Sequence, residues 1–161
     1  MSELRVGLGI DAHALVEGAP LVLGGTQIEH THGLEGHSDG DVIAHALIDA
    51  LLGAANLGDI GSRFPSGDDL YRGASSLDLL SDAYSAVRAE GWDLVNADCV
   101  LVGEAPRIDG VRAEMSVRLA EAIGVPSERI AVRATTTDRL GFTGRSEGLA
   151  AQAVVLLERQ R

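Results

Sequence analysis

Apolar residues alternate with small or polar ones from Glu3 to Asp11 (Glu3-Leu4-Arg5-Val6-Gly7-Leu8-Gly9-Ile10-Asp11), and a two-residue period predicts a strand over 3–11. A loop around Glu17-Gly18-Ala19-Pro20 follows. Leu21-Val22-Leu23 and Thr26-Gln27-Ile28-Glu29 flank Gly24-Gly25, whose tolerance of positive φ suits a tight turn, so the two segments predict a hairpin. Residues 30–40 are rich in Gly, His, Ser and Asp and read as a loop. From Asp41 the period lengthens to that of a helix. Val42, Leu47, Ile48, Leu51 and Leu52 are apolar, Asp39 and Asp41 suit the N-terminal end, and Gly53 or Gly58 ends the run. Asp41, His45 and Asp49 recur every four residues and form one polar stripe.

Residues 59–69 contain Pro65 and two glycines, Gly61 and Gly67, which rule out regular structure there. Helices are expected over 76–90, ended by Gly91, and over 109–123, ended by Gly124. Trp92 to Val102 and Ile130 to Thr135 read as strands, as does Leu149 to Glu158, where Val154-Val155 follow Gly148. This order predicts an α/β fold of the α+β sandwich kind, a mixed β-sheet with helices on one face, in a single domain over 1–161. The last strand is a run of Ala, Val and Leu with no polar side, so the other sheet face is expected to be packed in an oligomer.

Composition narrows the function classes. A chain of 161 residues, 45% hydrophobic, can bury one sizeable core. Its net charge of −11 argues against nucleic acid as a partner. A small anionic substrate would need local compensation from metal, arginine and backbone N–H groups. All 13 basic residues are arginine, the side chain suited to bidentate contact with phosphate. No apolar run reaches the roughly 18 residues that span a bilayer. The Asp-x-His pattern lies too near the first residue to leave room for a targeting segment, so a cytoplasmic protein is expected. The lone Cys99, within an apolar run, is expected to be a buried free thiol.

If the first segment is a strand that extends to His13, Asp11 and His13, two apart, point their side chains to one face. His45, one turn beyond Asp41 on the predicted helix, would supply a third ligand. Two imidazoles and a carboxylate suit zinc, and an open fourth position marks a catalytic site. His37-Ser38 lead into the helix N-terminus; Ser38 and especially Asp39 read as caps, whereas His37 has no evident structural duty. Thr135-Thr136-Thr137-Asp138 stack three hydroxyls before a carboxylate at a strand end. Gly141-Phe142-Thr143-Gly144-Arg145-Ser146-Glu147-Gly148 suit a loop that offers N–H groups to phosphate, and Ala105-Pro106-Arg107 give a second phosphate contact. His30 and His32 read as exposed loop residues. Gly7-Leu8-Gly9-Ile10-Asp11-Ala12 has the form of a dinucleotide fingerprint, but that motif must open a helix, which Gly18 and Pro20 preclude.

Taken together, Arg5-x-Gly7-x-Gly9-x-Asp11-x-His13, His37-Ser38-Asp39-Gly40-Asp41 through His45, Leu57 to Gly61, Phe64-Pro65 and Ala134 through Arg145 closely resemble the 2-C-methyl-D-erythritol 2,4-cyclodiphosphate synthases, in order and over nearly the whole chain. The resemblance implies cyclisation of 4-diphosphocytidyl-2-C-methyl-D-erythritol 2-phosphate with release of CMP, in the non-mevalonate isoprenoid pathway. It implies that Asp11, His13 and His45 hold zinc or another divalent ion, and that Asp138 helps hold magnesium or manganese on the substrate diphosphate. His37 and Thr136 would stabilise the transition state. Asp59, Ile60 and Gly61 would bind the methylerythritol part, with Phe64, Pro65 and Asp68 bordering the substrate and Ser38 and Thr137 contacting it. Gly103, Ala105, Pro106 and Arg107, with Ala134 and Thr135, would form the cytidine pocket. The family assembles as a homotrimer around a central apolar channel, which Phe142 and Arg145 would line and which in some relatives takes an isoprenoid diphosphate. Ser66-Gly67 stand where many relatives have Asp-Thr, Asp138 where many have glutamate, and Ile10 where phenylalanine is frequent. Two rivals are a metal-dependent phosphohydrolase and a non-catalytic trimeric binding module.

Overall fold

The computed structural model describes residues 3–160. Strand β1 spans Leu4–Glu17, well past the expected end at Asp11. The alternation of apolar with small or polar residues runs on past Asp11 through Ala12, His13 and Ala14, and the backbone keeps its partners. Leu4 to Ala14 pair antiparallel with β7 (Gly148–Arg159), and Leu15 to Glu17 pair with β4 (His32–Leu34), a short strand inside the segment read as a loop. With β5 (Trp92–Val102) and β6 (Ile130–Thr135) the sheet has the order β4-β1-β7-β5-β6. Among the described residues only β5 and β6 pair in parallel, so the sheet is mixed as expected. The hairpin of β2 (Leu21–Leu23) and β3 (Thr26–Ile28) turns at Gly24 and Gly25, with φ of 56° and 72°.

Helix α1 (Val42–Ala54) is buried on nearly every side, as a helix this apolar must be. It lies on β1, β7 and β5, and it can do so only because Gly7 and Gly9 face it. A Cβ on Gly7 would stand 2.0 Å from the Ala50 carbonyl oxygen, and one on Gly9 1.8 Å from that of Ala46. The segment 59–69 is not irregular: α2 (Ile60–Arg63) makes one turn and Asp69–Tyr71 a 3₁₀ turn. Helix α3 (Ser76–Ala89) packs on α1, and α4 (Arg112–Ile123) packs on α3 and β6. Helix α4 starts three residues later than its apolar spacing suggested, because Ile108 to Val111 form a turn. A last short turn, α5, covers Gly141–Gly144.

The helices thus cover one face. On the other, Leu4, Val6, Leu8 and Ile10 of β1 are 57–69% exposed and continue into Val154 of β7. Cys99 is buried and unpaired as expected, and burial pushes its thiol up to about 12. No helix among the described residues is long and apolar enough to cross a membrane.

Candidate active site

Asp11 and His13 leave β1 on the face that carries α1, and α1 turns His45 toward them. His13 Nε2 lies 2.8 Å and His45 Nδ1 3.1 Å from the same Asp11 oxygen, and the two imidazole nitrogens are 3.2 Å apart. Among the described residues, this is the one group of His, Cys, Asp and Glu side chains whose ligand atoms converge, all within 4.8 Å. The other nitrogen of His13, Nδ1, is 2.7 Å from the Glu35 carbonyl, which can only accept. The proton therefore sits on Nδ1 and the bare Nε2 points at a carboxylate oxygen, an arrangement that calls for a cation. A proton answers that call in part: the hydrogen bond to Asp11 raises the His13 pKa above its ordinary value. Burial works against ionisation of Asp11, but hydrogen bonds and charge from His13 and His45 outweigh it and bring its carboxyl down to about 2. Two nitrogens and one oxygen on rigid elements fit a divalent ion of zinc's type.

The segment before α1 is held differently from expectation. Asp41, not Asp39 or Ser38, is the N-cap: one oxygen accepts the N–H of Ala44 at 3.1 Å and of Gly24 at 2.9 Å, the other that of Gly25 at 2.7 Å. It staples the β2–β3 hairpin to the helix. Complete burial still raises its pKa to about 6 against those three donors. Asp39 accepts the N–H of Asp41 and of Ser76. Asp49 accepts the Ile60 N–H at 2.7 Å and ties α2 to α1, so the polar stripe of α1 serves three separate partners. His37 does have a structural bond, Nε2 to the Asp68 carbonyl at 2.9 Å.

A cavity of about 370 Å³ opens beside the trio. His37, Ser38, Ile60, Gly61, Phe64 and Pro65 line it, as do Ser66 and Gly67. Asp59 caps α2 through the Ser62 N–H at 2.7 Å, which depresses its pKa. Asp68 caps the following 3₁₀ turn through Leu70 N–H. Tyr71 and Leu79 also line the cavity and carried no signal in the sequence beyond being apolar.

A second cavity, about 120 Å³, is lined by Gly103, Pro106, Arg107, Ala134, Thr135 and Thr136, next to Ala105. It shares no residue with the first. In register, Ala12 pairs with Ala150, Ala150 with Val102 and Val102 with Thr135, which puts the two cavities three strand spacings apart, about 14 Å. Thr136 Oγ1 sits 3.3 Å from an oxygen of Asp138, whose backbone has φ of 52°. The Thr137 hydroxyl is committed to the Leu140 carbonyl at 2.6 Å and Thr143 at 3.0 Å, holding α5. Phe142 is on the surface, and Arg145 pairs with Glu147 at 2.9 Å.

The YgbB family profile matches residues 4–158. The 2-C-methyl-D-erythritol 2,4-cyclodiphosphate synthase of Rubrobacter xylanophilus is 55% identical over 162 residues, covering 99% of this chain and 98% of that protein. The chain belongs to this synthase family. The synthase of Moorella thermoacetica is 54% identical over 154 residues, covering 96% of this chain and 94% of that one. A solved synthase structure, in its CDP-bound form, superposes with a TM-score of 0.87 at 40% identity, covering 95% of this chain and 99% of that one. A synthase of this family is a lyase of isoprenoid precursor synthesis, and the chain is an enzyme of that class.

Proposed function

We propose that the chain converts 4-diphosphocytidyl-2-C-methyl-D-erythritol 2-phosphate to 2-C-methyl-D-erythritol 2,4-cyclodiphosphate and CMP. An oxygen of the substrate's 2-phosphate attacks the β-phosphorus in line, and the bond from that phosphorus to the bridging oxygen breaks, so that CMP leaves with that oxygen. The observation that carries this reading is the Asp11, His13 and His45 trio opening onto a cavity in a chain of the synthase family. Bound by the trio, zinc or another divalent ion would supply Lewis-acid neutralisation of the β-phosphate, as magnesium or manganese near Asp138 would for the diphosphate. The nucleophile belongs to the substrate, so the chain's residues position and neutralise rather than attack. His37 and Thr136 stabilise the transition state as charge develops on the phosphates, and Asp59, Ile60 and Gly61 seat the methylerythritol. Ser38, Phe64, Pro65 and Asp68 border it. Gly103, Ala105, Pro106, Ala134 and Thr135 hold the cytidine end, with Arg107 on phosphate and Thr137 in contact with the substrate; the CDP bound by the solved relative supports the cytidine assignment.

The two cavities are proposed to meet between subunits of a homotrimer, one chain giving the trio and its neighbour Thr136 and Arg107. The separation of the cavities on one chain and the exposed apolar stripe of β1 support this. Sedimentation equilibrium should then return the mass of three chains, and a monomer would reject the assembly. An isoprenoid diphosphate in the trimer's channel, near Phe142 and Arg145, completes the proposal. Farnesyl diphosphate should raise the melting temperature in the wild type and not in Arg145→Ala; no shift in either rejects it. The proposed compartment is the cytoplasm, where small phosphorylated metabolites reside.

The deciding experiment is phosphorus NMR of the purified protein with the diphosphocytidyl substrate and magnesium. A cyclic diphosphate with CMP is expected. A linear phosphate product would instead indicate attack by water.

A further inference from the structure

The loops that precede α1 and α3 are bonded to each other: Gly73 N–H donates to the His37 carbonyl at 2.8 Å, and Asp39 N–H to that of Ala74 at 3.2 Å. This pairing sets the Asp39 carboxylate against the first turn of α3, where it accepts the N–H of Ser76 at 3.0 Å and that of Asp41 at 3.0 Å. Ser76 is fully buried, and its hydroxyl donates to Asp39 in a short hydrogen bond. A serine has one proton to give. With that proton spent on Asp39, the Ser76 oxygen can only accept, and the group facing it at 2.8 Å is Nε2 of His45. His45 then carries its proton on Nε2 and turns a bare Nδ1 toward Asp11 and His13.

We propose that Asp39 and Ser76 are positioning residues for His45, forming a carboxylate–serine–histidine relay that fixes the imidazole in its metal-ligating tautomer. The proposal rests on the reading of the trio as a metal site. Without the relay, the Asp11 carboxylate, 3.1 Å from Nδ1, would draw the imidazole proton to the side where a metal must sit. The relay anchors the proton at the other end of the ring and makes the free nitrogen a better donor, the usual service of a partner behind a metal-bound histidine. Asp39 is not itself a ligand, since both of its oxygens are held by Ser76 and Asp41. Ser38 is the competitor, with Oγ 3.0 Å from the same Nε2, but its remaining contacts are long, 3.4 Å to Ser76 and 3.5 Å to Gly40, and no carboxylate fixes its proton. The relay also mirrors His13, where the Glu35 carbonyl does the same work in one step.

Nitrogen NMR of histidine-labelled, metal-free protein in mildly alkaline buffer tests this directly. Wild-type His45 should be protonated on Nε2; protonation on Nδ1 overturns the relay whatever the variants do. Ser76→Ala removes the hydroxyl and keeps the backbone bond to Asp39, so it should give mixed tautomers and weaken zinc binding about 10- to 100-fold in competition with a chromophoric chelator. Ser76→Thr, which keeps the hydroxyl, should restore both, and Ser38→Ala should leave the tautomer unchanged. A Ser76→Ala protein with wild-type tautomer and zinc affinity, or a tautomer that follows Ser38 instead, overturns the proposal. Wild-type protein that binds no zinc refutes the metal reading, and the tautomer measurement still decides the relay.

Discussion

Beside β1 every functional side chain is bonded before any ligand arrives: His13 to Glu35, His45 to Ser76, His37 to Asp68. At the ends of β5 and β6 the opposite holds. The Arg107 side chain is 91% exposed with its ion pair to Asp109 stretched to 3.8 Å, and Thr136 has only its neighbour Asp138 at 3.3 Å. The first region is finished by the chain's own fold; the second has the right groups and little to hold them. The difference follows from what each is proposed to grip. Metal ligation depends on ligand placement that only packed elements supply, whereas a flexible nucleotide brings its own contacts and can order its pocket on binding.

The contrast can be broken from either side. His45→Ala should abolish zinc binding and lower CMP release about a thousandfold, while CDP binding measured by calorimetry persists. Equal loss of both would mean the cavities are not separable. Thr136→Ala should instead leave zinc content unchanged in elemental analysis while cutting kcat about a hundredfold. Gly9→Ala should cost about 1–3 kcal/mol by urea unfolding and weaken zinc binding more than CDP binding, because its Cβ would meet the Ala46 carbonyl at 1.8 Å and lift α1 from β1. The smallest effect is one of pH. Asp41 is raised from 3.8 to about 6 in the fold, so the stability linked to its protonation is full below 3.8 and lost as pH rises through about 6. Between those values the urea midpoint of wild type should fall relative to Asp41→Asn; parallel midpoints would show a carboxylate ionised throughout.

Much of this was legible in the chain. Asp11 and His13 remained on one face because the strand they belong to ran on past its expected end at Asp11. Pairing with β7 and β4, which no local pattern reports, carried it on to Glu17. The short strand His32–Leu34 hid in a polar segment because three residues are too few to show a period. Turn α2 was legible only as the Asp59 and Ser62 capping box, which Pro65 and the glycines overshadowed. Capping went to Asp41 over Asp39 because Asp39 is engaged by Ser76, 37 positions away, a contact made by tertiary structure alone. Gly103 to Arg107 and Thr135 to Asp138 were legible as the ends of two strands, but neither the pairing of those strands nor their distance from the trio was, since both depend on strand order in the sheet.

Strand β1 shows glycine and metal-ligand side chains to the helices and leucine, valine and isoleucine to the outside. Because adjacent residues point to opposite faces, insertion of a single residue just before Gly7 with the rest of the register held would turn Leu4 and Val6 toward the helices, while one inserted between Gly9 and Asp11, with the glycines held, would turn both ligands outward. The spacing between Gly7, Gly9, Asp11 and His13 is therefore a ruler. Substitutions along this strand are tolerated or refused one face at a time, but a change in its length is refused by both faces together.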